Sequence, residues 1–386
     1  MNKVKDLLQT ILTLAIILGI STVLYLYTSG YRLQKNIENT IDLTKTGMIN
    51  AKSMPEAATV YLDGKLVSAT NDTIAGIDPG KHALKISKKG FVDWEKEIEV
   101  FPELVTDITA ILVSQSPRIE PLTNTGANIP TISPTMNKLA YFSQEEAEPG
   151  IYVVPLGGFG GISLFRSNPN IAINDTRVNK FSQGKSIEWS PDETDLLIEG
   201  PNGVFYLVDL ERNTAETTAS PKLVRDTWKK EISTKRTESI EKLDIEESLK
   251  VLALSENAFW SPDEKKFLYI QKVGEKLLYK VYNLEIPIPI GEKVENLVFE
   301  TNAADPQPKI NWYADSFHLI LVEGSPLTDK RGVISLIRID GTNKTEIYSN
   351  TLFSDNVFSA PGGDKVIIST SFKSNNQVDL YTVSIR

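Results

Sequence analysis

One short pattern returns five times in the C-terminal part of the chain, and it constrains the fold more than any other feature. An apolar strand runs into a Ser-Pro-Asp-like turn, a second apolar strand follows, and after another turn comes a third, alternating strand. The strong copies are Ile132-Ser133-Pro134-Thr135, Trp189-Ser190-Pro191-Asp192 and Trp260-Ser261-Pro262-Asp263. The weaker ones are Trp312-Tyr313-Ala314-Asp315 and Ser359-Ala360-Pro361-Gly362. Counted from Ile132, the copies lie 57, 71, 52 and 47 residues apart. A four-stranded propeller blade takes roughly 40–50 residues, so the spacing predicts one blade per copy with insertions in the first two gaps. A single sheet of this kind cannot bury both faces, whereas like sheets stacked around an axis can.

Local chemistry accounts for the motif without catalysis. Proline holds φ near about −65° and suits the turn after the first strand, while the aspartate can accept from a nearby backbone N–H. Trp189, Trp260 and Trp312 occupy one place in the repeat. A large ring recurring once per blade predicts packing between blades, with a ligand-stacking surface as the competing reading. Only 27 residues follow Ser359, room for two strands after the anchor turn and not three. A segment near Arg118–Pro121 is therefore expected to supply the missing strand of the last blade and close the ring. The motif count is about five blades, with a degenerate sixth around Leu297-Val298-Phe299 left open. These repeats resemble the WD40-like propeller repeats of TolB and related prokaryotic proteins, and Arg338-Ile339-Asp340-Gly341-Thr342-Asn343 looks like the turn that closes such blades. The resemblance spans most of residues 125–386 and implies architecture, not activity.

The longest gap holds a different segment. Leu223 to Leu252 is rich in charge, and Leu223, Trp228, Ile232, Ile240, Leu243 and Leu249 recur at roughly helical spacing. One or two helices are expected over about 221–252, either as a cap packed on the propeller edge or as a partner-docking element.

Residues 48–114 read as a small β-sandwich of short antiparallel strands. Thr59-Val60-Tyr61-Leu62 meets Asp63-Gly64, a strong hairpin signal, and His82 to Ser87 and Trp94 to Val100 alternate with period two. Ser53-x-Pro55-Glu56-Ala57-Ala58, Val60-Tyr61-Leu62-Asp63-Gly64 and Leu84-x-Ile86-x-x-x-Lys89-Gly90-Phe91-x-x-Trp94 resemble the PEGA domain, a β-sandwich of prokaryotic surface proteins. Ala57 stands where the name-giving motif has glycine. The resemblance implies a spacer or binding module outside the cytoplasm and brings no catalytic residues. His82 reads as an ordinary strand residue.

No charged side chain occurs from Leu7 to Tyr31. A helix of about 20 residues spans a bilayer core at ~1.5 Å per residue, so residues 1–31 are expected to form a transmembrane anchor, with a cleaved signal peptide as the alternative. Lys3 and Lys5 stand against Arg32, Lys35 and Lys45, which leaves orientation undecided by charge. Only the PEGA resemblance places the bulk of the chain outside the cytoplasm, and with it a bacterial origin. Residues 32–47 read as a partly helical stalk.

The remaining chemistry is sparse. With no cysteine and two histidines, His82 and His318, neither a Cys-ligated metal nor a multi-histidine centre can be built. A net charge of −9 argues against phosphate-directed binding of nucleic acid. There is no Gly-x-Ser-x-Gly elbow and no phosphate-binding loop; Gly157-Gly158-Phe159-Gly160-Gly161 reads as an inter-strand loop. Asp192, Asp263 and Asp315 recur at equivalent blade positions, too far apart around a ring for a glycosidase pair. Sequons at Asn71, Asn174 and Asn343 matter only in a glycosylating pathway. No catalytic, cofactor or metal residue is assigned and no cofactor is expected. The fold expected is all-β: a membrane helix, a PEGA-like sandwich, and a propeller over 115–386. The function expected is non-enzymatic: a single-pass surface protein binding a protein or an envelope polymer. The rival is a lyase or hydrolase acting on a cell-envelope polysaccharide; a sensor is disfavoured by the few residues ahead of the helix.

Overall fold

The computed structural model describes residues 2–28, 30–35, 41–157, 169–373 and 377–386. It divides into two compact units, Met1–Leu112 with Pro287–Glu292, and Val113–Ile286 with Lys293–Arg386.

The first unit begins with helix α1, Asn2–Thr28. Its window Ile11–Thr28 has a mean hydropathy of 2.1 and is long and apolar enough to cross a membrane. Two of its threonines turn inward on the backbone: the Thr22 hydroxyl donates to the Leu18 carbonyl at 2.8 Å and the Thr28 hydroxyl to the Leu24 carbonyl at 2.9 Å. At the far end the Arg32 guanidinium lies 4.0 Å over the Tyr27 ring and donates to the Tyr27 carbonyl, satisfying a terminal helix acceptor.

The expected helical stalk is instead a two-stranded antiparallel ladder, Tyr31–Lys35 with Ile41–Lys45. Ile37 and Ile41 are four apart, as on a helix, but Ile41 and Leu43 are two apart, and the strand period prevails. The sandwich follows as two sheets. One orders Asp72–Ile77, Gly47–Met54 and Val105–Ile111; the other orders Lys65–Ala69, Thr59–Leu62, Gly80–Ser87 and Trp94–Val100. The expectation of a wholly antiparallel sandwich fails at one ladder: Gly47–Met54 and Val105–Ile111 run parallel, Met48 opposite Val105. Alternate residues of both sheets, Ile49, Val60, Ile86, Trp94, Ile98 and Ile108 among them, fill one core. Asp63 and Gly64 turn their hairpin with φ of 50° and 78°, and Ala57 keeps the left-handed backbone, φ 57°, that glycine would adopt without strain.

The second unit holds five four-stranded antiparallel sheets among the described residues. Four are built in chain order, opening with Asn128–Ile132, Ser186–Trp189, Phe259–Trp260 and Lys309–Trp312. In the fifth, Phe358–Ser359, Lys365–Thr370 and Asp379–Ser384 take their fourth strand from Ile119–Pro121, with Ile119 opposite Val383. The start and end of the unit are thus sewn into one sheet. Arg118 N–H donates to the Ser384 hydroxyl and Ser384 N–H to the Arg118 carbonyl, each at 2.8 Å. Leu297-Val298-Phe299 founds no sixth sheet; it lies in Glu295–Asn302, the outer strand of the third.

Buried apolar side chains gather between successive sheets. Phe142 and Ile151 of the first meet Trp189 and Leu196 of the second; Tyr279 and Val281 of the third meet Trp312 and Leu319 of the fourth. Leu380 and Ile367 of the fifth meet Leu139 and Tyr141 of the first. This is a β-propeller. Helices α2, Pro221–Ile240, and α3, Glu247–Ala253, fall between the second and third blades. Both helices pack against the blades. Arg225 of α2 forks onto Glu188 in the inner strand of blade two. Ile240 and Ala253 join Trp260, Phe267 and Tyr282 of blade three in one cluster. Residues 158–161 of the glycine-rich run lie outside the described residues.

Candidate binding site on the propeller axis

All five anchor turns share one backbone. The residue after the motif's fourth position is left-handed: Met136, Glu193, Glu264, Ser316 and Gly363 have φ of 60°, 60°, 54°, 59° and 58°. Its N–H donates to the carbonyl three residues back, as Glu193 to Ser190 at 3.1 Å and Glu264 to Ser261 at 2.9 Å. This is a type I turn closed by a left-handed residue, a common hairpin solution. Serine and aspartate complete it: Ser190 Oγ donates to Asp192 Oδ1 and Ser261 Oγ to Asp263 Oδ1, both at 2.6 Å. Proline at 191 and 262 supplies the fixed φ. In the fourth copy Asp315 accepts from the N–H groups of Phe317 and His318 and from His318 Nδ1 at 2.7 Å.

Four of the five left-handed residues carry side chains despite the strain, and three of those reach outside their own blade. Glu193 Oε1 accepts from Thr135 N–H and Oγ in blade one, both at 2.6 Å. Ser316 Oγ accepts from Asp263 N–H in blade three at 3.2 Å. Glu264 Oε1 takes Arg236 of α2 at 3.3 Å.

The tryptophans also reach outward. Trp189 Nε1 donates to the Thr131 carbonyl of blade one at 3.0 Å, and Trp312 Nε1 to the Phe259 carbonyl of blade three at 2.8 Å. Trp260 Nε1 finds the Ala253 carbonyl of α3 at 2.9 Å, so a helix supplies the acceptor that a neighbouring sheet supplies elsewhere.

The turns and inner strands surround a cavity of about 710 Å³. Every blade contributes to its wall: Met136, Trp189, Asp263, Asn311 and Phe358 mark blades one to five. Helix α2 adds Ile232, Lys235 and Arg236, which share one helix face at spacings of three and four. Sequence reasoning missed this wall. The pattern over about 221–252 announces helices, as a cap or a docking element, without placing them at this cavity, and nothing in it marks Asn311.

The carboxylates of the motif are already engaged. Hydrogen bonds from Ser190 hold the Asp192 carboxyl below its ordinary value. Burial pushes Asp263 up, but Ser261, the Lys265 N–H and the Lys266 charge outweigh it and leave the group low. Lys266 is fully buried, with Nζ 3.1 Å from Glu285 and 3.6 Å from Asp263. His318 is 2 % exposed and tied to Asp315; His82 lies in the first unit between Asp63 Oδ2 and the Asp78 carbonyl, each at 2.7 Å. Among the described residues no group of three His, Asp or Glu side chains is placed to hold a metal.

Residues 46–115 match the PEGA domain. The chain is similar in fold to a putative TolB from Agrobacterium tumefaciens, at 16 % identity and a TM-score of 0.24 over 71 % of this chain and 73 % of that one. It is also similar to TolB from Acinetobacter baumannii, at 15 % identity and a TM-score of 0.23 over 79 % and 60 % of the two chains. An oligogalacturonate lyase from Vibrio parahaemolyticus aligns at 11 % identity and a TM-score of 0.33, covering 79 % and 86 %. No curated protein matches the sequence. The first unit therefore carries a PEGA domain.

Proposed function

We propose that the chain is a single-pass membrane protein whose PEGA domain and propeller stand outside the cytoplasm. In this reading the axial face of the propeller recognises a protein or an envelope polymer without chemical turnover. The observation that carries the reading is the axial cavity, whose wall draws on all five blades. A surface assembled from equivalent turns offers a varied rim on a rigid scaffold, which suits recognition. The carboxylates at that rim are committed to turn hydrogen bonds, so they support binding better than acid–base work. The apolar stretch Ile11–Thr28 supports the anchor, and the PEGA match supports an exterior location.

Photo-crosslinking tests recognition. A benzoylphenylalanine at Phe259, 43 % exposed on the inner strand of blade three, is expected to capture one defined partner on intact cells. The same group at Leu327, 70 % exposed on blade four, is not. Release of unsaturated uronate from polygalacturonate by the purified chain would instead establish a lyase. Location is tested by Leu66→Cys, the only thiol the chain would then have: a membrane-impermeant maleimide should label it on intact cells, and the mature mass should include α1.

A further inference from the structure

Four of the five seams in the ring are closed from blade to blade. Trp189 and Glu193 join blade two to blade one, and Trp312 and Ser316 join blade four to blade three. The Tyr313 hydroxyl of blade four donates to the Gly363 carbonyl of blade five. Blade five meets blade one through Ile367, Leu380, Leu139 and Tyr141. At the seam between blades two and three both repeated groups are diverted. The Trp260 indole donates to the Ala253 carbonyl of α3, and the left-handed Glu264 takes Arg236 of α2. Among the described residues no hydrogen bond or ion pair joins blade two directly to blade three.

Helix α2 bridges that gap. Near its start, Arg225 Nη2 lies 2.6 Å from Glu188 Oε1 and Nε 2.9 Å from Oε2 in blade two, with the guanidinium 5.2 Å from the Phe205 ring centroid. Towards its end, Arg236 meets Glu264 at 3.3 Å and lies 4.9 Å from the Trp260 ring centroid, and Ile240 enters the core of blade three. Of the 20 residues of α2 only Ile240 is buried. An element with so little buried apolar surface belongs to the low-stability end of a fold. What holds its first half is a charge pair whose members are 35 % and 38 % exposed. The closed position is also incompletely satisfied: Arg236 Nε is buried with no partner, and burial pulls the pKa of the group down. The chain leaves slack at this seam alone. Blade three passes to blade four over residues 303–308 and blade four to blade five over 352–357, whereas 219–258 lie between blades two and three.

We propose that α2 is a strap across the one indirect seam of the propeller, and that release of the Arg225–Glu188 fork opens the ring between blades two and three. The anchored end is the Ile240 end, and the end that lets go is the Arg225 end. Ile232, Lys235 and Arg236 of the strap line the axial cavity, so its release takes away part of that wall. The helical insertion is then a conformational device that couples the ionic state of a rim to the shape of the axis.

The test uses the full chain in detergent micelles. The sequence has no cysteine, so nitroxide pairs report only where they are placed. Thr217→Cys with Leu297→Cys spans the seam of blades two and three, and Leu297→Cys with Ser349→Cys spans that of blades three and four; all three positions are exposed on outer strands. Distances are read by double electron–electron resonance. In Glu188→Gln, and with the fork intact at about 1 M NaCl, the first pair should gain about fivefold in a longer-distance population, while the second pair stays unchanged. Reversing the charges, Glu188→Arg with Arg225→Glu, should restore the parent distribution where neither single change does. Should Glu188→Gln lower the melting temperature of the whole ring, the salt series still decides, since it leaves the fork's side chains in place. A first pair that stays narrow while the amides of α2 exchange faster means a helix fraying from a shut ring, and overturns the proposal. Equal responses at both seams overturn it too, as does a reversed pair that behaves like the single variants.

Discussion

In the PEGA unit Asp63, at a left-handed turn position, folds its carboxylate back onto its own sheet, to His82 and to the Ala83 N–H. In the propeller Glu193 has the same backbone and sends its carboxylate to the turn of the blade before it. The tryptophans divide in the same way. Trp94 is 2 % exposed in the sandwich core, and its indole N–H has no partner, while Trp312, equally buried, donates across to the Phe259 carbonyl. A sandwich is held by one shared core, so its turns need only serve their own hairpins. A ring of like sheets has a seam at every blade, and its turns and indoles carry hydrogen bonds over the seams.

Conservative removal of the indole N–H should separate the two units most strongly. Trp312→Phe removes the indole donor to the Phe259 carbonyl and leaves a void, a loss of about 2–4 kcal/mol. Trp94→Phe removes a donor that is already unpaired, so its void is offset and the net change should stay within about 1 kcal/mol. Guanidinium unfolding followed by circular dichroism measures both. Equal losses would mean that the seam hydrogen bond adds nothing to burial, and the contrast between the units would fail.

Glycine at the left-handed positions sharpens the contrast. Ala57 is exposed and φ 57°; its methyl group strains the turn and reaches nothing, so Ala57→Gly should stabilise the PEGA unit by about 1 kcal/mol. Glu193→Gly relieves the same strain but deletes two charge-assisted hydrogen bonds to blade one, and should cost about 1–2 kcal/mol net. Hydrogen exchange resolved by segment gives the sign at each site. If both variants stabilise, the left-handed side chains do not hold the seams.

What the sequence disclosed follows from the range of each interaction. The Ser-Pro-Asp turns were legible because proline, serine and aspartate act within five residues, and the contribution of Ile119–Pro121 to the last blade was legible by counting strands against the residues after Ser359. The parallel pairing of Gly47–Met54 with Val105–Ile111 was not, because period-two alternation is the same in parallel and antiparallel ladders. The spacing of Ile232, Ile240 and Leu249 announced helices with an apolar face, but a periodicity names the face and not what covers it, so their place beside the axis was hidden.

Protonation gives the smallest effect and separates the units by the direction of pH. Burial raises the pKa of Asp315, but the His318 charge and hydrogen bond, with two backbone N–H groups, hold it below its ordinary 3.8. A carboxyl lowered on folding binds fewer protons in the native state, so its contribution is complete above about pH 3.8 and drains away as pH falls through the folded value. Burial lowers the pKa of His82, yet Asp63 and the Asp78 carbonyl overcome it and raise the group above 6.5. An imidazole raised on folding binds more protons in the native state, so its contribution is complete below about pH 6.5 and is lost as pH rises through the folded value. Hydrogen exchange in Gly80–Ser87 should therefore quicken in free-energy terms as pH rises above about 6.5, after correction for the intrinsic rate, and His82→Gln should flatten that slope. Exchange in His318–Ser325 should instead respond on the acid side and lose that response in Asp315→Asn. A His82→Gln variant that keeps the full neutral-to-alkaline slope would show that Asp63 braces its hairpin through the Ala83 N–H alone, and the PEGA turn would then be held by backbone, with the side-chain half of the comparison removed.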